Sequence, residues 1–357
     1  MNLLERYLGR EFAKGYLIVL LVLLGLFGFL DLVDELSEVG EGNYRLRDAF
    51  IFVGLTFPTK MLDFAAICTL MGGSFGLAGL AKGSELLAVR SSGMSMAQMV
   101  VALLKSVLIM AALLVVIAQF IAPRCERWAF LHRHQALVGS DSLRTEQGFW
   151  SRNRLQYLNV GIIRHSRIPE DLNIYQFDTD GRLQEFIHAR RADISDRAHW
   201  ILQDVYIKSW NRGLLNTQYR KQWRWDSFLT ADQLQALELP AETLSVTELF
   251  SYIHYLINTG QNAERYELLF WQRLLLPVTM AVMVLLLVPI MVSSPRAQSF
   301  GLQVALAVVV GLLYFLATQV VANAGLLLGI APLTTALVPT LTVLVLALFL
   351  SRRAIRQ

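Results

Sequence analysis

The sequence predicts an α-helical membrane protein with six transmembrane helices, three and three, and an inserted all-β, jelly-roll-like domain. Three observations predict it. Three long apolar segments precede residue 124 and three follow residue 266. The stretch between them is polar and patterned like strands. The chain is 55% hydrophobic and 17% charged, whereas soluble domains carry about 25% charged residues. The expected organisation is an amphipathic N-terminal helix plus three spans over 1–123, a β-domain over 124–266, and three more spans over 267–357.

Residues 1–14 place Leu4, Leu8 and Phe12 at helical spacing opposite Arg6, Arg10 and Lys14. That pattern suits a helix lying in the membrane interface, and equally a plain extension of the first span. The spans are expected near 15–33, 50–81, 97–122, 268–292, 300–323 and 333–351, the second being over-long for a crossing of about 20 residues. Arg6, Arg10, Lys14, Lys82, Arg90, Arg296, Arg352, Arg353 and Arg356 fall on one side of this arrangement. The short loop 31–48 on the other side carries Asp31, Asp34, Glu35, Glu38, Glu41 and Asp48 against Arg45 and Arg47. The positive-inside rule then puts both termini in the cytoplasm and segment 124–266 outside. The net charge of +4 reflects these orientation signals, not a nucleic-acid surface. No cleavable signal peptide is expected, because the first apolar run is long and lacks a clean small-residue cleavage site.

Within the inserted segment, Tyr219, Trp223 and Trp225 alternate with polar neighbours, and Ile201, Val205 and Ile207 do likewise. Asp180-Gly181 reads as a hairpin turn. Short strands at close spacing suggest a sandwich or jelly roll. Near 245 the period becomes helical: Ser245 and Glu248 form a capping box, Leu249, Ile253 and Leu256 mark one face, and Gly260 closes the helix.

Motifs for catalysis are missing. The Gly-rich GLAGLAKGS at 76–84 lacks the order of a phosphate-binding loop; with Gly72, its Gly76, Gly79 and Gly83 suit close helix packing. Neither H-E-x-x-H nor G-x-S-x-G occurs. His132 and His134 have no acid or cysteine spaced to complete a metal site and read as a solvated pair. Cys68 and Cys125 suggest neither a disulfide nor a metal site. No metal and no directly bound cofactor is expected.

Ionisable residues in apolar runs are more informative, since charge in lipid is costly. Lys60 sits near the outer interface, with Asp63 three residues on. Two readings stay open: snorkelling with a local ion pair, or a phosphate contact at the mouth of a cavity. Arg273, in the first turns of span four, has the same two readings. Lys105 is expected to snorkel at the cytoplasmic end of span three. Leu20, Leu24, Phe27 and Leu30 give span one an apolar face, for acyl chains or simply for lipid. On the cytoplasmic loop 82–99, Ser84-Glu85-Leu86-Leu87-Ala88-Val89-Arg90 can form a short helix ended by Gly93. Its apolar residues call for a docking partner or a re-entry turn at the interface.

Four stretches together carry a family resemblance: LVDELSEVGEGNY at 32–44, SELLAVRSSG at 84–93, SLRTEQGFW at 142–150, and LSVTELFSYIHYLINTGQNAERYELLFWQRLLLPVTM at 244–280. Over nearly its whole length the chain resembles the LptF/LptG family of lipopolysaccharide-export permeases, the LptG branch more than the LptF branch. The resemblance implies a multi-pass subunit of the bacterial inner membrane with a periplasmic β-jelly-roll. It implies pairing with an LptF half, a cytoplasmic LptB ATPase dimer that holds the ATP, an LptC membrane helix and periplasmic domain, and, through the β-bridge, LptA. It implies that Glu85, within Ser84, Leu86, Leu87 and Arg90, contacts the ATPase. It also implies that basic residues such as Lys60 and Arg273 meet the phosphates of the lipid. Asp34 matches an acidic family position, whereas Glu38 stands where some relatives carry a basic residue. The competing classes are a membrane-anchored sensor with an outer ligand-binding β-domain and an intramembrane enzyme. The cytoplasmic segments are too short for a sensor's output domain, and no catalytic dyad shares one membrane depth.

Overall fold

The computed structural model describes residues 3–82, 85, 91, 93–138, 143–153, 155–164, 168–178, 181–194, 199–211, 214–227, 240–292 and 300–355. Two compact units emerge. The first comprises Met1–Val33, Gly54–Cys125 and Glu264–Gln357, the second Asp34–Val53 and Glu126–Ala263. Nine long or medium helices among the described residues are α1 (Leu3–Leu36), α2 (Leu46–Asp63), α3 (Ala65–Lys82), α4 (Met96–Val116), α5 (Ala122–Val138), α6 (Val246–Asn258), α7 (Glu264–Val292), α8 (Phe300–Leu327) and α9 (Pro332–Ile355).

Among the described residues, five helical stretches are long and apolar enough to cross a membrane. A sixth candidate is the pair α2–α3, bent by 74° at Phe64. The bend resolves the over-long second span: it is two helices of 18 residues each. Hydrogen bonding runs on through it, since the Lys60 carbonyl accepts the Phe64 N–H (3.0 Å) and the Phe64 carbonyl accepts the Cys68 N–H (2.8 Å). Pro58 lies in the turns just before, where it leaves the Gly54 carbonyl without its helical donor.

The helical unit is held by close approach of small residues, as befits helices in lipid, where apolar burial alone gives no net drive. Leu8, Phe12, Tyr16, Leu20 and Leu24, each four apart, form the buried stripe of α1. Against them lies the glycine face of α3. A Cβ on Gly15 would sit 2.1 Å from the Gly72 carbonyl oxygen, and one on Gly76 would sit 2.5 Å from that of Glu11. Gly79, the third glycine of the expected packing face, has open space beside it. The N-terminal segment is therefore the first turns of span one and packs into the bundle.

The third span also outruns its apolar stretch. α4 continues through a π turn, Ile117–Ile121, into α5, which ends 16 residues past the expected limit of 122. Pro123 follows the π turn, and a widened turn relieves the clash that its ring would make with the preceding carbonyls. Apolarity marks where lipid ends, and polar residues carry the helix on.

The second unit contains one antiparallel sheet of six strands in sequence order: β1 (Leu143–Asn153), β2 (Gln156–Arg164), β3 (Ile168–Phe177), β4 (Leu183–Asp193), β5 (His199–Asn211) and β6 (Leu214–Asp226). Gly181 turns β3 into β4 with φ +77°, as the hairpin signal predicts, although Asp180 lies outside the described residues. The strict alternation expected for β5 does not hold. Trp200 and Leu202 are buried, then Val205 and Ile207, while Ile201 is 44% exposed. The alternation slips at Asp204, which adopts φ +52°. Asp171 on β3, at φ +56°, marks a second such slip. By register both lie across from Arg190 of β4. The pairing keeps its register on either side of both residues, so each is a local kink in its strand without an inserted residue.

Candidate functional site

Charge appears at the end of the α1 stripe. One face of α1 runs from Leu20 through Leu24 and Gly28, all buried, to Asp31, half-buried. Lys60, in the last turn of α2, makes an ion pair with Asp31. Its ammonium also lies where a helix C-terminus favours a cation. The two side chains keep 20% and 30% of their surface, so the pair is sheltered yet reachable. Local spacing points from Lys60 to Asp63, and the pair across helices is a feature that spacing alone does not reveal. A signal for it exists in the chain: Asp31 continues the period of Leu20 and Leu24.

Aromatic rings border this pair along the same helices. Phe27 packs on Phe64 at 4.7 Å between centroids, and Phe64 lies 5.9 Å and Phe27 6.4 Å from Phe315 of α8. The bend therefore holds a three-ring apolar cluster within about a turn of Lys60 and Asp31. Of the other residues singled out from the sequence, Leu24 is buried in the bundle and Leu30 is 49% exposed. Leu26, Phe29 and Val33 are also exposed. Arg273 is buried on α7, at 7% exposure. Asp34 belongs to the second unit, where its main-chain carbonyl accepts the Ser37 hydroxyl (2.7 Å).

In the loop between α3 and α4, Ser84, Leu86, Leu87 and Arg90 lie outside the described residues. Glu85 is described, and its carboxylate accepts a hydrogen bond from the Tyr7 hydroxyl of α1. Tyr7 is not singled out by the sequence, and nothing local to either residue signals a partner 78 positions away. Beyond Gly93 (φ +90°), Ser95 caps α4, exchanging hydrogen bonds with Gln98. Lys105 is not simply extended toward an interface: it pairs with Glu5 of α1 at 3.0 Å.

The second unit has its own polar cluster. Arg133 of α5 donates from Nε to both oxygens of Glu35 (3.1 and 3.0 Å) and pairs with Glu38. Its guanidinium lies 5.5 Å from the centroid of Phe52. Tyr44, almost fully buried, donates to Glu35 at 2.7 Å. Burial, and then the Glu35 carboxylate, push the Tyr44 hydroxyl pKa up. The Asn43 N–H donates to the Ala136 carbonyl (2.8 Å). His132 is not solvated as expected: it meets Asp48 at 3.1 Å and stacks on Trp128. The side chain of His134 lies outside the described residues. Among the described residues, no cluster of three or more His, Cys, Asp or Glu is placed to hold a metal.

The profile of the family described as lipopolysaccharide export system permease LptF/LptG matches residues 6–353. The chain belongs to the LptF/LptG family. The LptG protein of Haemophilus influenzae is 30% identical over 354 residues, which cover 99% of this chain and 99% of that protein. The LptG protein of Escherichia coli is 28% identical over 355 residues, 99% of this chain and 98% of that protein. Both relatives carry the LptG name, the branch that the sequence resembles more. LptF/LptG proteins are non-catalytic transport subunits, and the apolar helices of this member make it a multi-pass membrane protein.

Proposed function

We propose that this LptF/LptG permease is the LptG-type half of a transporter that lifts lipopolysaccharide out of the inner membrane and passes it to a periplasmic β-bridge. The observation that carries this reading is the family match from residue 6 to residue 353. The bent second span counts as one crossing, which gives six spans with both termini in the cytoplasm. The six-stranded sheet belongs to a periplasmic domain of jelly-roll type, and the positive-φ kinks at Asp171 and Asp204, aligned across Arg190, support a sheet that is not flat.

The energetics require an external motor. Burying one methylene is worth about 0.8 kcal/mol, so a multi-acyl lipid resists leaving the bilayer by tens of kcal/mol. The permease supplies apolar walls and a few charges, and the power comes from ATP on a soluble LptB dimer. An LptF half, an LptC helix and, through the bridge, LptA complete the assembly. Lys60, beside the Phe27–Phe64–Phe315 cluster, meets a phosphate while the rings face acyl chains, with Arg273, Leu24 and Leu30 as further contacts. Glu85, with Ser84, Leu86, Leu87 and Arg90, is the docking segment for the ATPase. Its bond to Tyr7 ties that segment to α1, the helix that also carries Asp31.

The test is reconstitution of the complex with Glu85→Lys. ATP hydrolysis is expected to continue while export of the lipid falls at least tenfold. Export at the native rate would remove the docking role. Photo-crosslinking from Leu30 and Lys60 is expected to capture lipid, and a chain that never captures lipid at either position is not the conduit.

A further inference from the structure

We propose that Asp31 is a built-in counter-ion that competes with the phosphate of the cargo for Lys60: it holds the lysine when the site is empty and reclaims it when the lipid leaves. The inference rests on the reading of Lys60 as a phosphate contact and adds a mechanism of release.

Four features of the helical unit carry it. First, an unpaired ammonium among apolar helices is costly, and a partner from a different helix removes that cost. Asp31 is on α1 and Lys60 on α2, so the pair is made by tertiary packing and can be unmade by a small shift of either helix. Second, the side chains remain 20% and 30% exposed, so an incoming anion can reach them without unfolding anything. Third, Lys60 stands at the end of α2 next to the 74° bend, where span two changes direction and where a change in that angle would move the lysine relative to α1. Fourth, the position is at the proper depth. Asp31 lies 17 residues along α1 from Lys14, about 26 Å at 1.5 Å per residue, which spans most of a hydrocarbon core of about 30 Å.

The two anions differ in charge. A phosphate monoester carries about −1.5 to −2 at neutral pH against −1 for a carboxylate, and offers three acceptor oxygens. It can therefore displace Asp31 from Lys60. Asp31 remains tethered on α1 and repels the bound phosphate. When α1 and α2 close on each other, the carboxylate returns to the lysine and the phosphate departs. With no such competitor, the cation would hold its cargo longer than transport allows. No covalent bond is made or broken in this exchange.

The test uses the assembled transporter in nanodiscs, with lipid A carrying two phosphates and lipid A stripped of both as probes. Asp31→Asn is expected to raise affinity for the bisphosphorylated lipid about fivefold, as loss of a partly exposed competing charge should. Affinity for the stripped lipid should not change, and export turnover in proteoliposomes should fall. Asp31→Ser removes the same charge with less bulk and carries the same expectation should the asparagine variant fail to fold. A variant with unchanged or weaker affinity for the bisphosphorylated lipid overturns the proposal, as does an equal change for both lipids, the mark of a merely structural pair. Lys60→Gln separates this failure from failure of the site itself. Its loss of preference for phosphate sustains Lys60 as the contact whatever Asp31 does, and an intact preference removes both the contact and its competitor.

Discussion

In the helical unit Gly15 meets Gly72 so closely that no side chain fits between them, whereas in the second unit Arg133 gathers Glu35, Glu38 and the ring of Phe52 around one guanidinium. With the helical unit in lipid and the sheet unit outside it, as proposed above, the contrast follows from the solvent. Among lipid tails, two apolar helices gain little by hiding apolar surface from lipid, so shape and close approach decide their packing. In water, sheltered charges can be held if each finds a partner and a geometry. The helical unit thus spends few charges, and the Asp31–Lys60 pair stands out against its apolar surroundings. The second unit spends many, and no single pair there points to a task.

If that contrast is right, the largest effect belongs to the glycines. Gly15→Leu would drive a branched side chain into the backbone of α3, and the expected loss is about 4 kcal/mol or more, beyond ordinary overpacking. Thermal unfolding of the purified chain should show it, or the variant should fail to accumulate in membranes. Gly25 on the same helix faces open space, with nothing within 4 Å of where a Cβ would sit. Gly25→Ala is therefore expected to be neutral or to stabilise by about 0.5 kcal/mol through helix propensity. Equal effects at the two glycines would break the idea that packing at Gly15 is special.

Next comes Arg133→Met in the second unit. It leaves the Glu35 carboxylate sheltered with only the Tyr44 hydroxyl, and the expected cost is about 3 kcal/mol. Hydrogen exchange should then quicken at the Asn43 amide, which bonds to the Ala136 carbonyl. Replacing Arg133, Glu35 and Glu38 together by apolar residues of similar size should cost much less, since the damage comes from stranded charge.

These cases also show what can be read from the chain. The apolar spans, the hairpin at Gly181 and the capping box at Ser245 are legible because each depends on neighbours in sequence. The bend at Phe64, the run of α5 to Val138 and the slip in β5 are not, because they answer to packing partners far along the chain. The same divide runs through the site. Lys60 declares itself as a cation at the end of an apolar run, but its partner Asp31 sits 29 positions away, and Tyr7 and Glu85 are 78 apart. His132 looks idle in the sequence because Asp48 lies 84 residues upstream.

A smaller effect is expected at the start of α6. Burial favours the neutral acid of Glu248, yet the Ser245 main-chain N–H (2.8 Å) and hydroxyl (2.8 Å) and then Arg127 (3.0 Å) outweigh it and hold the carboxyl pKa below its usual value. A lowered pKa in the folded state means that the cap contributes its stability above the unfolded pKa, and that this stability is lost as pH falls through the folded one. Glu248→Gln should therefore cost about 1 kcal/mol at neutral pH and progressively less as the acid protonates. Hydrogen exchange at the first turn of α6, followed downward from about pH 6, should show native and variant converging. A gap that widens on acidification would contradict the sign.

The smallest effect tests the positive-φ kinks. Asp171 holds φ +56° within β3, a conformation that costs a residue with a side chain about 1 kcal/mol relative to glycine. Asp171→Gly relieves that strain but gives up the contact of Asp171 with His188 (3.6 Å) and adds backbone freedom to the unfolded chain. The expected net change is a gain of about 0.5 kcal/mol or less. Asp204→Gly should gain less again, because the Asp204 carboxylate accepts the Tyr219 hydroxyl at 2.9 Å. A loss above about 1 kcal/mol at Asp171 would mean that its side chain, not its backbone, shapes the bend. The row of kinks would then join Arg133 as a place where this unit is held by charge, and the contrast with the glycine-packed helices would sharpen.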